Sequence, residues 1–150
     1  MNKSQIIKHL DSARHEHGQW VSEGRKILKG LDEDTIQKPQ KSDDCNFTIW
    51  YEAEGHKLVN IPQLVEIQEL HHDLHSTYTA LYYVTFDRRK KARVSIIRGD
   101  DEIPVDQTPF RNKTLKALET KTIRLVKLLF AIEKSVKAME EDYFESGWFV

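Results

Sequence analysis

The chain has 150 residues, with 23 Lys and Arg against 24 Asp and Glu, and a net charge of −1 with His neutral. That balance lacks the positive excess that bulk nucleic-acid binding requires. No apolar run approaches the roughly 18 residues that cross a bilayer.

A hydrophobic share of 39% and a charged share of 31% fit an ordinary globular domain, and the length predicts one domain over residues 1–150. Met1 to Gln5 lacks the charged-then-apolar layout of a secretory signal, which predicts a cytoplasmic location. The single cysteine, Cys45, closes no intrachain disulfide. It is therefore inert core, a metal ligand or a reactive thiol.

In chain order, the first predicted element is a helix from about Ser4 to Lys29. Ile6, Ile7, Leu10, Ala13, His17, Trp20, Val21, Gly24, Ile27 and Leu28 recur at three- and four-residue steps, which places them on one stripe. Ser4 suits the start and Gly30 the end. His17 falls inside the stripe and His15 outside it. Leu31 to Asp44 is polar, contains Pro39 and reads as a loop.

A short helix follows from about Asp44 to Glu54, capped by Asp43 or Asp44 and ended by Gly55, with Cys45 in its first turn. Pro62 suits the first turn of the next helix, which runs at least to Phe86 and, through Arg88 to Arg93, as far as Ile97. Gly99 to Pro104 break it. Residues 86–109 are otherwise hard to assign. The final helix is predicted from about Arg111 to Phe144, with Leu115, Leu118, Thr122, Leu125, Leu129, Ile132, Val136 and Met139 on a wide apolar face. Three long amphipathic helices and one short one predict an all-α four-helix bundle, the short helix carrying Cys45.

His71 and His75 are four residues apart, so their imidazoles stack on one helix face about a turn apart and can reach one ion. Alone, such a pair is compatible with ordinary helix histidines bonded to neighbours or water. His17 on the stripe of another helix and a lone Cys at a helix start turn the balance towards metal. Three imidazoles and one thiolate form a closed tetrahedral set suited to Zn²⁺, and this donor set argues against Mg²⁺ and Ca²⁺. A hydrolytic zinc enzyme is not expected, because catalysis keeps one coordination position open for water.

The sequence His17-Gly18-Gln19-Trp20, then Cys45-Asn46-Phe47-Thr48-Ile49-Trp50, then His71-His72-Asp73-Leu74-His75 resembles the chemoreceptor zinc-binding domain of bacterial signalling proteins. The resemblance covers about residues 10–80. Thr48 and Ile49 depart from the family pattern, where Gly and then Lys or Arg usually stand. What the resemblance implies is a zinc site of three His and one Cys in a four-helix bundle, paired as a homodimer. It also implies regulation of a signalling partner, of the chemoreceptor or diguanylate cyclase type, in response to zinc or oxidants. With no room for an output module in 150 residues, a stand-alone member acting on a separate partner is expected.

Oxidation of a zinc-bound Cys45 thiolate would weaken its hold on the ion and free the short helix. Trp20 and Trp50 are expected to shield the site from water. Glu16 and Asp73, next to ligands in sequence, are expected to be solvated. The run Arg88-Arg89-Lys90-Lys91-Ala92-Arg93 reads as a solvated helix face, and Trp148 to Val150 as an apolar tail. The competing readings are a hemerythrin-like di-iron bundle and a metal-free helical adaptor. The first needs carboxylates paired with His on facing helices, and the final predicted helix contains no His.

Overall fold

A computed structural model describes residues 1–98 and 107–145, with the backbone alone for 88–98 and 145. Eight helical segments make up the described chain, and no strand occurs among them. Helix α1 spans Lys3–Leu28. Its cap is Asn2 rather than Ser4: the Asn2 side chain accepts from the Gln5 amide while the Gln5 side chain accepts from the Asn2 amide, a reciprocal capping box. At the other end Gly30 takes φ +82°. This left-handed turn lets the Gly30 amide reach Ile27 O and the Leu31 amide reach Lys26 O, satisfying carbonyls that the helix leaves open.

The stretch predicted as a loop contains two single turns of 3-10 helix, Glu33–Thr35 and Ser42–Asp44. Helix α2 follows over Asn46–Ala53. Asp43 and Asp44 belong to the preceding 3-10 turn, so neither caps α2. Cys45 itself is the N-cap, with extended backbone at φ −73°, ψ 139°. A further 3-10 turn at Gly55–Lys57 leads on, and there a Cβ on Gly55 would meet the Trp50 ring at 2.8 Å. Glycine is required at 55 by this close approach.

Helix α3 runs Gln63–Arg98, directly after Pro62, and is the longer of the two extents that the periodicity allowed. The backbone of Arg88 to Arg93 lies on it, but their side chains fall outside the described residues, as do the Gly99–Pro104 break and the Trp148–Val150 tail. Helix α4 spans Thr108–Ala138, starting on Pro109 in its first turn. The helix predicted to reach Phe144 ends early. Met139 is extended (φ −76°, ψ 148°), and the single-turn α5, Glu141–Glu145, follows. The break turns Phe144 into the core and brings Tyr143 Oη within 3.3 Å of Asn60 Nδ2.

Helix α4 packs along both α1 and α3, and α2 lies against α1. The apolar stripes meet in one core: Ile6, Leu10, Ile27, Ile67, Leu81, Leu118 and Ile132 have no measurable exposure. Burying each such aliphatic side chain contributes about 1.5–3 kcal/mol before entropy is charged against it. Gly24 lies where α1 crosses its neighbours, and a Cβ there would sit 3.0 Å from Leu115 Cδ1 and 3.1 Å from Leu118 Cδ2. Arg14 of α1 pairs with Glu133 of α4 at 3.0 Å and lies over the Phe130 ring. The all-α expectation holds, with the expected fourth helix divided into α4 and α5. No helix among the described residues is long and apolar enough to cross a membrane.

Candidate metal centre

His17 from α1, Cys45 from the cap of α2, and His71 and His75 from α3 meet at one point. One ligand atom from each lies within 4.8 Å of the others, and all four residues are buried. The Nε2 atoms of His17 and His71 are 2.8 Å apart, those of His71 and His75 3.0 Å, and those of His17 and His75 3.3 Å. Cys45 Sγ lies 3.5 Å from His17 Nε2. The rings stand nearly perpendicular to one another, at 74° to 80°, so three lone-pair directions converge.

Two of the three tautomers follow from the backbone. His17 Nδ1 is 2.6 Å from Ala13 O, and His75 Nδ1 is 2.8 Å from Gln40 O. A carbonyl only accepts, so both Nδ1 atoms carry the hydrogen and both Nε2 atoms are bare. His71 can donate at most one hydrogen into this trio. The only other hydrogen within reach is that of the Cys45 thiol, a weak donor 3.5 Å from His17 Nε2, so these buried lone pairs are at best thinly satisfied, a costly state in polar groups removed from water.

Protonation does not relieve it. Burial, opposed by the Ala13 hydrogen bond and reinforced by His75, lowers His17 to about 4. Burial and then the neighbouring His17, His75 and His72 lower His71 to about 2. His75 is lowered too, chiefly by burial. All three are neutral near pH 7, which is the form that binds metal.

The donor set fits a zinc ion. Bonds of ~2.0–2.1 Å to nitrogen and ~2.3 Å to sulfur on a tetrahedron imply N···N edges of roughly 3.3 Å and S···N edges of roughly 3.6 Å. The three N···N spacings and the Cys45–His17 spacing lie at or below these, and all four ligand atoms fall within 4.8 Å of one another. Burial pushes the Cys45 thiol up, the amides of Phe47 and Thr48 pull it down, and Glu16 pushes it up again. Only a bound cation would supply the charge that makes this buried thiol a thiolate.

The surroundings are partly those expected. The Trp20 ring meets His75 edge-on at 5.9 Å. Trp50 reaches the site through Phe47, whose ring lies 5.8 Å from Trp50, 4.9 Å from His71 and 6.5 Å from His17. Phe47 is thus the aromatic wall of the cluster, a role not assigned to it from sequence. Thr48, one of the two departures from the family pattern, sits with Oγ1 3.5 Å from His71 Nδ1. Asp73 is exposed as expected, but Glu16 is half-buried and lies near enough to act on Cys45. His15 points outward. Among the described residues no carboxylate joins the cluster, so the arrangement lacks what a di-iron bundle needs.

Fold and site together define an all-α bundle built around a buried, metal-capable group of three histidines and one cysteine. Residues 17–82 match the chemoreceptor zinc-binding domain, so this segment is similar to that family. The match starts at His17 and contains the other three cluster residues. No curated protein and no solved structure matches the chain.

Proposed function

We propose that this protein binds one zinc ion through His17, Cys45, His71 and His75, and that the state of this site regulates a partner signalling protein. The observation that carries the reading is the convergence of three neutral imidazole nitrogens and one thiol, two of the nitrogens held bare by backbone carbonyls. The family match supports it independently. Bound there, zinc supplies the positive charge that satisfies the lone pairs and keeps Cys45 as thiolate.

Cys45 is the responsive group. It is the N-cap of an eight-residue helix, whose hold on α1 and α3 runs through Phe47, Trp50 stacked on His9, and the cluster itself. Two-electron oxidation of the thiolate to sulfenic acid by an external oxidant such as hypochlorous acid, which is reduced to chloride, removes the strongest donor. Helix α2 then loses one of its anchors, a local two-state element that a partner surface can read. A chemoreceptor or diguanylate cyclase is the class of partner that fits, and pairing as a homodimer belongs to the same reading.

Elemental mass spectrometry on the purified chain and on Cys45→Ala tests the metal. About one zinc per chain, lost or weakened in the variant, is expected, whereas two irons per chain or no metal overturns the reading. A thiol-reactivity assay tests the response: equal Cys45 reaction rates with and without zinc, and no zinc released on oxidation, would reduce the site to a structural one.

A further inference from the structure

A cleft of about 460 Å³ opens beside the cluster, between residues 40–43 and α3, and His75 forms part of its wall together with Gln40, Ser42, Asp43, His72 and Ala80. His75 is one of the four cluster residues, and it separates the cleft from the converging nitrogens. The chain before the cleft is pinned: the Gln37 amide donates to Glu23 Oε2 at 3.1 Å, and Gln37 O accepts from the Tyr78 hydroxyl. The chain after it ends on Cys45.

Between these anchors, two hydrogen bonds tie the segment to α3. His75 Nδ1 donates to Gln40 O at 2.8 Å, and Ser42 Oγ lies 2.9 Å from His72 Nδ1. The second of these is exposed to solvent, and His72 lies outside the cluster.

Resting on the zinc reading above, we propose that residues 38–44 are the gate through which the metal is exchanged. In this proposal the Ser42–His72 hydrogen bond is the latch and the cleft beside His75 is the path. Lifting the segment acts on two ligands at once. His75 loses the carbonyl that orients its ring, and Cys45 is pulled because it is the next residue in the chain. The other two cluster histidines keep their places, since His17 is oriented within its own helix by Ala13 and His71 lies on the side of Phe47 and Thr48. The site therefore opens from one side, with half of its donors still in position to receive an ion.

The test is the rate at which the zinc-loaded full-length chain gives up its metal to excess 4-(2-pyridylazo)resorcinol, followed by absorbance. Ser42→Ala removes the latch and is expected to release zinc about two- to fivefold faster, the low end for one exposed neutral hydrogen bond. Ala80→Trp fills the cleft and is expected to slow release by a similar factor or more. Both variants are expected to bind one zinc per chain. Unchanged rates in both, with one zinc bound, overturn the gate and leave the zinc site standing. An absence of zinc from the unaltered chain overturns the site and the gate together.

Discussion

His17 Nε2 and His71 Nε2 stand 2.8 Å apart in the core, although His17 already donates its one ring hydrogen to Ala13 O. Two neutral imidazoles in this position share at most one hydrogen, and His75 brings a further bare nitrogen 3.3 Å from His17. A helix bundle gains nothing by gathering lone pairs in its interior. A cation among them would offset that cost.

Removal of metal is therefore expected to destabilise the fold. Ligand bound only by the native state adds about 2.7 kcal/mol when present at a hundred times its dissociation constant. For a chain of 150 residues, each kcal/mol moves Tm by roughly 2–4 °C. Calorimetry with free zinc held at about a hundred times its dissociation constant and then with a chelator should show Tm falling by about 5–10 °C. An unchanged Tm would mean that the cluster holds no metal in solution.

The metal-free protein should be acid-sensitive through the same residues. Burial holds His17 at about 4 and His71 at about 2 in the folded chain, against an ordinary value of 6.5. Above pH 6.5 neither state binds these protons and the histidines add no pH dependence. Below it the unfolded chain takes up protons that the folded chain refuses, so stability is lost as pH falls from 6.5 towards 4. Denaturation midpoints measured in chelator should be flat from pH 8 to 7 and fall between pH 6.5 and 5. A midpoint that holds or rises over that lower range contradicts the burial argument.

Phe47→Ala should open a cavity against His17 and His71. Phe47 is 4% exposed, and truncating a buried Phe costs about 3–5 kcal/mol. Because its ring touches two of the ligands, zinc affinity should also fall by ~10- to 100-fold, as for other groups that orient ligands. Competition with a fluorescent zinc chelator reads the affinity, and urea denaturation reads the stability. Loss of stability with unchanged affinity would show that the imidazoles need no aromatic wall.

Gly55→Ala probes the close approach after α2. The added Cβ would lie 2.8 Å from the Trp50 ring, and Trp50 is packed between Phe47 and His9. A cost of about 1–3 kcal/mol is expected for such overpacking, with a shift in the Trp50 contribution to fluorescence. Gly18, with open space around its Cβ position, should tolerate Ala and is the control. Equal effects at the two positions would remove the steric reason for glycine at 55.

His71 and His75 could be read as neighbours from sequence because a helical period of 3.6 residues brings positions four apart to one face. His17 could be placed inward because its stripe of Leu10, Ala13, Trp20 and Ile27 leaves it no other side. These are local relations, and they fix which residue types face the core. Tertiary structure decided the rest. The pinning of His75 comes from Gln40 O, a main-chain atom 35 residues away, and a backbone carbonyl has no signature in residue identity. Likewise Asp43 and Asp44 had the chemistry of caps, yet the 3-10 turn took them and left Cys45 at the start of α2. The break at Met139 has the same origin, since no proline or glycine marks it and the chain turns where Phe144 finds a place in the core. Periodicity determines which face of each helix is buried, whereas the close meeting of atoms from different helices depends on how those faces dock.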